Sequence, residues 1–325
     1  MNLLSIFGDY CESQMKLVNT SIALSLAIYT ATSADVFAEN LNTPETNQQN
    51  IAQKSETNDI ERIVITSSFN AQTLAQTPAS ITVISEQQIN DQAIQHFEEL
   101  LSGVANLNFS GGTSRPKYLQ IRGVGERSEY RGAPNASVGF IVDDIDLSGL
   151  GMAASMYDVG QVEVLRGPQG TRFGANALAG LVYINSNQPT EVAEYGLRST
   201  VGDDDLITLS GFSSGAVSDK LSYRVSLEQH QQNGYRDNTY LNRDDTNGID
   251  ELTGKIKLRY LASDSLTVDF TYLFADLDNG FDAWTLDNNG FETITDAPGV
   301  DNQKSHGSSL KFSYKGLSFA DLTAI

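Results

Sequence analysis

Few side chains in this 325-residue sequence are of the types that do chemistry, and their spacing argues against a catalytic centre. The histidines, His96, His230 and His306, are scattered without the spacing of metal ligands. The single cysteine, Cys11, falls in a part of the chain that we expect to be removed, so no thiol supports them. The sequence therefore predicts no metal site, no cofactor and no catalytic residue, and we expect a protein that is not an enzyme.

Two short glycine patterns are similar to enzyme motifs but lack the elements that those motifs need. Gly123 and Gly125, with Asp143 20 residues after the first, suggest a dinucleotide loop, yet Ser128 stands where a third glycine or alanine is required. Residues 211–215 have the spacing of a nucleophile elbow, but a predicted strand follows where a helix is needed. We interpret both patterns as turns.

The sequence is strongly acidic, with 41 acidic and 21 basic residues and a formal net charge of −20 at pH 7. An acidic excess of this size argues against a nucleic-acid partner. Residues 276–301 alone hold seven acidic side chains and no basic one. This segment is either a solvated outer loop or a site for divalent cations or a cationic ligand, and the sequence leaves both interpretations open.

The N-terminal region carries the signs of export. Met15 is followed by a basic residue, a mostly apolar stretch and small residues at the cleavage-determining positions. We therefore predict a secretory signal peptide over residues 15–38, with Met15 rather than Met1 as the start; a buried helix is the alternative. Residues 39–58 are polar and lack an apolar period, which predicts a flexible, disordered linker.

The middle of the chain, residues 73–188, has the pattern of a small α+β domain. Its most distinctive stretch, residues 162–184, predicts two strands joined by a glycine-rich loop. Ahead of this stretch, a predicted strand is followed by a capping-box pattern, Ser85 with Gln88, which predicts a helix start. A second helical segment is predicted over residues 96–102. Strands, helices and glycine-rich loops in this order favour an α+β fold.

From residue 194 to 325 the pattern changes to alternating strands. Four segments place apolar side chains on one face and polar or charged ones on the other: 222–228, 253–260, 266–274 and 310–314. Such strands suit lipid on one face and a wet lumen on the other, and short turns alternate with long loops at 233–249 and 275–304. The pattern predicts an antiparallel transmembrane β-barrel, although a soluble antiparallel sheet alternates in the same way.

Three stretches resemble, in the same order, the plug domain of TonB-dependent outer-membrane receptors: residues 121–123 (IRG), 140–144 (FIVDD) and 162–184. The resemblance implies an α+β plug domain followed by an incomplete antiparallel transmembrane β-barrel. It implies a location in the outer membrane of a Gram-negative bacterium, with the plug facing the periplasm. It also implies that Arg122 and Arg166 face acids of the barrel wall and anchor the plug; the alternative is two surface arginines without a single partner.

Residues 59–67, between the linker and this domain, have the pattern of a peptide that adds as a strand to another protein. Their core is β-branched and follows a predicted tether. By the same resemblance this segment is a TonB box, which binds the periplasmic C-terminal domain of TonB and, through it, the inner-membrane energising complex. The residues of this predicted contact are Ile60, Glu61, Arg62, Ile63, Val64, Ile65 and Thr66. The alternative is an ordinary first strand of the following domain.

The resemblance implies a receptor that takes up a scarce small nutrient of the siderophore, cobalamin or carbohydrate class. Residues 191–325 have room for about six membrane-crossing strands, whereas plugged outer-membrane transporters have about 22. We therefore expect the sequence to be the N-terminal part of a receptor, with the C-terminal part of its barrel missing. The alternative is a non-transporting plug-like or β-rich binding module, or a receptor remnant.

Overall fold

All described residues of the computed structural model belong to the second of the two units into which the chain divides, Ile60–Ile325. The structure describes residues 64–65, 72–73, 79–111, 115, 117–127, 136–149, 155–283 and 290–325. The predicted signal peptide (15–38) and linker (39–58) lie outside these residues. Within them, no helix is both long and apolar enough to cross a membrane.

Two short strands open the described part of the chain. Val64–Ile65 (β1) pairs antiparallel with Gln72–Thr73 (β2), and Ile65 is fully buried. The predicted TonB box falls only partly here, because residues 60–63 and 66 lie outside the described ranges. Within the described part of this segment, Val64 and Ile65 pair along one edge of β1 with Thr73 and Gln72 of β2.

The helices lie where local sequence signals place them. Glu86–Asp91 (α1) begins after Ser85, whose hydroxyl accepts a hydrogen bond from the Gln88 backbone N–H, while the Gln88 side chain accepts one from the Ser85 N–H. The capping-box prediction is confirmed. The second predicted helix is Phe97–Leu101 (α2), which buries its apolar side chains in the domain core.

The strands of the α+β domain form two sheets. In chain order they are Ser80–Ser85 (β3), Leu107–Ser110 (β4), Tyr118–Ile121 (β5), Val124–Gly125 (β6), Val138–Val142 (β7), Ile145–Asp146 (β8), Val159–Arg166 (β9) and Gly180–Ser186 (β10). The central sheet has the order β3-β9-β10-β7-β8, and β4, β5 and β6 form the smaller sheet. β10 is parallel to β7 and antiparallel to β9. The helices and the central sheet share one apolar core.

The stretch 162–184 forms the two predicted strands, which become β9 and β10. Its glycine-rich connection contains two short helical turns, Gly170–Phe173 (α3) and the 3₁₀ turn Gly174–Asn176, rather than tight turns alone. Gly167 has φ 101° and Gly174 has φ 77°, backbone conformations that glycine adopts without the strain of a Cβ atom.

A separate antiparallel sheet, here called the wall sheet, follows the α+β domain. Its strands are Glu194–Val201 (β11), Ile207–Ser218 (β12), Leu221–Gln232 (β13), Ile249–Ser263 (β15), Leu266–Phe281 (β16), Gly299–Tyr314 (β18) and Leu322–Ala324 (β19). Each pairs with the next in this list, and β11 and β19 are the edges, so the wall does not close. Between them, Asp237–Asn238 (β14) and Glu292–Thr293 (β17) form a separate parallel pair.

The strand prediction holds in number and differs in extent. In the described residues the wall sheet has seven strands, of which six have eight or more residues, in keeping with the expected six or so, and β19 has three. Both ends of the predicted loop 275–304 are strand, since β16 extends to Phe281 and β18 begins at Gly299. The two strands stay paired over this extension, and Asp276 lies opposite Lys304 and pairs with it across the ladder.

The predicted alternation of the wall strands is confirmed. On β13, Arg224 and Glu228 are buried, whereas Val225 and Leu227 on the opposite face are 39% and 49% exposed. The polar face is buried because the α+β domain packs on it. The fold class is therefore an α+β domain followed by an unclosed antiparallel wall with an apolar outer face.

A glycine in the wall sheet lets the α+β domain approach closely. A Cβ atom at Gly307 of β18 would lie 2.6 Å from Cγ2 of Ile145, the buried first residue of β8. The branched side chain of Ile145 cannot move this atom without turning its whole Cβ. Gly307 therefore forms a notch that receives Ile145.

We predict that Gly307→Val destabilises the docked domain by about 1–3 kcal/mol, because it overpacks this contact. Ile145→Ala in the same chain should recover part of that loss by clearing the space, a coupling that a double-mutant cycle in urea denaturation measures. Strictly additive effects of the two substitutions would show that the notch does not hold Ile145.

Candidate functional site

The contact between the α+β domain and the wall sheet contains most of the buried charges, and it is the candidate site. The turn between β7 and β8 presents two carboxylates, Asp143 and Asp144, to the wall; their φ angles are 49° and 66°. Two successive residues with positive φ are what a tight two-residue hairpin requires, and Asp tolerates this conformation better than most residues. Lys257 Nζ lies 2.9 Å from Asp143 Oδ1, and Lys311 Nζ lies 3.0 Å from Asp144 Oδ2.

Asp143 is satisfied on both of its oxygens. Ser186 donates its backbone N–H to Oδ1 at 2.9 Å and its hydroxyl to Oδ2 at 2.6 Å, while Lys257 also donates to the Ser186 hydroxyl and carbonyl. Burial by itself raises the pKa of Asp143, but the positive charges of Lys257 and Lys255 and the Ser186 hydrogen bonds outweigh it. The net pKa lies below the ordinary value, so the carboxyl is ionised in the docked state.

A second carboxylate of the domain, Asp158, binds an arginine of the wall. Arg224 Nε lies 2.9 Å from Asp158 Oδ2, and Arg224 Nη2 lies 2.5 Å from Oδ1, a bidentate arrangement. The Arg224 guanidinium also stacks 4.3 Å from the ring centre of Phe212. Beside this pair, Lys255 Nζ donates to the Tyr157 carbonyl at 2.7 Å.

Nearer the long loops the signs are reversed, because the wall supplies the acids. Glu251, on β15 and 1% exposed, lies 2.5 Å from His96 Nε2 and accepts a hydrogen bond from Arg115 Nε at 2.8 Å. Arg115 also pairs with Glu98, and Asn279 Nδ2 donates to Glu251 at 2.6 Å. Despite this density of carboxylates and imidazoles, no group of them in the described residues is arranged to hold a metal ion.

The charges of the wall are thus sorted along its strands. Arg224, Lys257 and Lys311 lie toward the short turns, and Glu228 and Glu251 lie toward the long loops. The domain carries acids against the first set, and His96 and Arg115 against Glu251. Glu228 accepts hydrogen bonds from the Ser155 and Ser210 hydroxyls. Because a shift of the domain along the strands would bring like charges together, this pattern fixes one docked position.

The two arginines that the resemblance singled out lie elsewhere. Arg166 donates from Nε and Nη2 to the Ala105 carbonyl, at 3.2 and 2.8 Å, within the domain. Partial burial and the nearby charge of Arg122 lower the pKa of Arg166. The described contacts of Arg166 do not reach the wall sheet, and anchoring by Arg122 and Arg166 stays a prediction.

Sequence reasoning missed the residues that make these contacts. Asp143 and Asp144 lie inside a stretch recognised only as a family motif, and Lys257 was seen only as one charge of an alternating strand. The alternation could have indicated them, because charged side chains at every second position of a strand, on the face that becomes buried, need partners. Which acid meets which base depends on packing, which local sequence does not encode.

A small α+β domain held by buried ion pairs against the polar face of an antiparallel wall, with an apolar face outward, is the arrangement of a plug domain against part of a β-barrel wall. Residues 73–181 match the family model described as TonB-dependent Receptor Plug Domain. The α+β domain is hereafter called the plug.

Curated relatives are similar to this chain in sequence, and solved structures are similar to it in fold, over part of their own length. The pesticin receptor of Yersinia pestis is 26% identical over 215 residues, covering 66% of this chain and 32% of the relative. The vitamin B12 transporter BtuB of Vibrio vulnificus is 24% identical over 229 residues, covering 67% and 35%. The crystal structure of the ferric yersiniabactin uptake receptor FyuA from Yersinia pestis has a TM-score of 0.64 at 24% identity, covering 73% of this chain and 38% of that one. The chain spans about a third of the length of the curated relatives it matches.

We predict that Lys257→Met destabilises the docked chain by about 3–5 kcal/mol, because it leaves Asp143 buried without its cation. Urea denaturation in detergent micelles measures the change. The matched control is Lys304→Met, which removes an exposed lysine of an ion pair on the same sheet and should leave the denaturation midpoint unchanged. Equal effects of the two substitutions would contradict the anchoring role of Lys257.

The pH dependence of stability should also report Asp143. Since its pKa is lowered in the folded chain, its contribution is complete above the ordinary carboxyl value of about 4 and is lost as the pH falls through the lower folded value. We expect the stability gap between the unmodified chain and Asp143→Asn to be constant from pH 7 to about 5 and to shrink below about 4. A gap that stays constant at acid pH would exclude this linkage.

Proposed function

We propose that this protein is a TonB-dependent outer-membrane receptor that takes up a scarce small nutrient. The observation that carries the proposal is the docked plug: a domain of the receptor family held by paired charges against a wall whose outer face is apolar. In a closed barrel, a plug docked in this way would fill the lumen and stay in contact with the barrel wall. The proposal assigns the protein transport rather than an enzymatic activity.

The orientation follows from the lengths of the connections. β12 and β13 are joined by residues 219–220 and β15 and β16 by residues 264–265, whereas residues 233–248 and 282–298 connect the other ends. Outer-membrane barrels have short turns on the periplasmic side and long loops outside. We therefore place the long loops outside the cell in a Gram-negative bacterium, with the TonB box toward the periplasm.

The ligand class is narrowed by the relatives. Curated relatives include a vitamin B12 transporter and the catecholate siderophore receptor Fiu of Escherichia coli. The solved structures include a ferric yersiniabactin uptake receptor. Of the siderophore, cobalamin and carbohydrate classes, the first two thus have support, and we propose a metal chelate carried as cargo rather than as a resident cofactor.

Energy would arrive through the segment around β1. Val64 and Ile65 pair with β2 on one edge, and in the described part of the chain the other edge of β1 has no strand neighbour. A strand of TonB could therefore add to β1 through main-chain hydrogen bonds, or take the place of β2. The TonB box over residues 59–67, with its contact residues 60–66, and the anchoring of the plug by Arg122 and Arg166 remain part of this proposal, as do the proposed domain limits.

The test is binding of TonB's periplasmic C-terminal domain in a pull-down. We predict that Val64→Pro weakens binding at least tenfold, because proline removes a backbone donor and resists strand pairing. Val64→Thr keeps the N–H and the β-branched shape, and should bind like the unmodified chain.

Two results would contradict the proposal. Equal binding of both variants would exclude strand addition at β1, and failure of the unmodified chain to bind TonB would favour the alternative of a non-transporting binding module. Accumulation of a labelled ferric siderophore or cobalamin in cells with TonB, but not in cells lacking it, would then test transport itself.

A further inference from the structure

The two long connections on the proposed outer side are tied to each other away from the wall sheet. β14, in the connection after β13, pairs in parallel with β17, in the connection after β16. The Asp237 N–H donates to the Phe291 carbonyl at 2.9 Å, and the Thr239 N–H donates to the Thr293 carbonyl at 2.9 Å. A parallel pair of only two residues on each side is too short to be stable by itself. Something else must hold the two segments together.

Asp282 lies at this junction and is only 2% exposed. Its Oδ2 accepts three hydrogen bonds, from Asn238 Nδ2 at 2.8 Å, from Thr246 Oγ1 at 2.8 Å and from Thr293 Oγ1 at 2.7 Å. Asn238 and Thr246 belong to the first connection and Thr293 to the second. One carboxylate oxygen therefore joins both segments.

The donors around Asp282 are as deeply buried as the carboxylate. Asn238 and Thr293 are each 1% exposed. Among the described residues no lysine or arginine forms an ion pair with Asp282, and its Oδ1 is buried without a hydrogen-bond partner. Hydrogen bonds to a charged acceptor are stronger than neutral ones, and removing the acceptor would take away the partner of the Thr246 and Thr293 hydroxyls, whereas Asn238 Nδ2 would keep its hydrogen bond to the Thr295 carbonyl at 2.8 Å. Asp282 thus joins both connections at one point, beside the Arg236–Gly290 and Thr239–Thr293 hydrogen bonds that also cross between them.

The junction borders an outer cleft. The cleft has a volume of about 370 Å³. It is lined by the first connection, including Asn233, Asp245 and Gly248, and by strand ends that include Asp278 and Gly280 of β16. The Gly280 N–H donates to the Gly248 carbonyl at 2.8 Å. Two residues further along, the Asp282 N–H donates to Asn247 Oδ1 at 3.2 Å. Asp282 thus holds Thr246 and Asn247, which lie between the lining residues Asp245 and Gly248, and a movement of this segment would change the shape of the cleft.

We propose that Asp282 is a positioning residue that holds the two outer connections as one body and so pre-forms the outer cleft. Under the proposed function, on which its biological use rests, ligand meets this surface first. When the cleft is already formed, ligand binding does not require its loops to become ordered, so the entropy cost of binding is smaller. Asp282 acts through the loops and does not line the cleft.

The experiment measures the distance between the two connections in the full chain without ligand or TonB. Nitroxide labels are placed through Tyr240→Cys and Ile294→Cys, both at exposed positions, with Cys11→Ser to remove the only native thiol. Continuous-wave electron paramagnetic resonance of the frozen sample, in which dipolar broadening reports the short separations between neighbouring strands, then gives the distribution of distances. We expect one narrow distribution in the otherwise unmodified chain and a broad one in Asp282→Ala.

Two further variants distinguish the loss of the Asp282 hydrogen bonds from a nonspecific effect of substitutions in this connection. Thr293→Val removes one donor from the second connection at nearly constant shape and should broaden the distribution in the same direction. Asp296→Ala removes an exposed aspartate from the same connection and should leave the distribution narrow. Amide exchange of β13 should be unchanged in all variants, which shows that the wall remains folded.

A narrow distribution in Asp282→Ala, with β13 intact, would overturn the proposal. So would equal broadening by Asp296→Ala. Because neither ligand nor TonB is present, these results are independent of the TonB pull-down. The role of Asp282 at the junction can be disproved while TonB binding is observed, and TonB binding can be absent while the role of Asp282 is confirmed.

Discussion

A charge removed from water must find a partner, and this requirement organises the contact between the plug and the wall. The inner face of the wall carries lysines, arginines and glutamates that are buried by the plug. Leaving any one of them unpaired would cost several kcal/mol. The plug therefore has to supply Asp143, Asp144 and Asp158 at one level and His96 and Arg115 at another. Its position follows from that matching.

The same chemistry would suit a domain that is held and yet displaced, as the proposed transport requires. A buried ion pair contributes little net stability compared with two hydrated charges, although breaking it by removing one partner is costly. A plug attached by apolar packing alone would expose that apolar surface whenever it moved. A plug attached by charges leaves behind groups that water can solvate, so displacement costs less than the number of contacts suggests.

At the outer end of the wall, buried charges also have partners, but these partners are not charged. There the acids have few basic neighbours, and Asp282 is satisfied by hydroxyl and amide donors instead of by a cation. Hydrogen bonds from fixed donors are directional, whereas an ion pair tolerates many geometries. Directional bonds suit the joining of two loops in one arrangement, and ion pairs suit a contact that forms and parts.

The sequence by itself determined the elements whose signals are local: the capping box at Ser85, the strands on either side of the glycine-rich stretch 162–184, and the faces of β13 and β15. Hydrogen bonds between near neighbours and a two-residue period are readable from adjacent residues. Tertiary structure alone decided that Lys257 meets Asp143, 114 residues away, and that β16 and β18 extend as one ladder through the predicted loop. Those outcomes depend on which distant surfaces come together, and a charge in a sequence specifies only that a partner is needed, not which one it is.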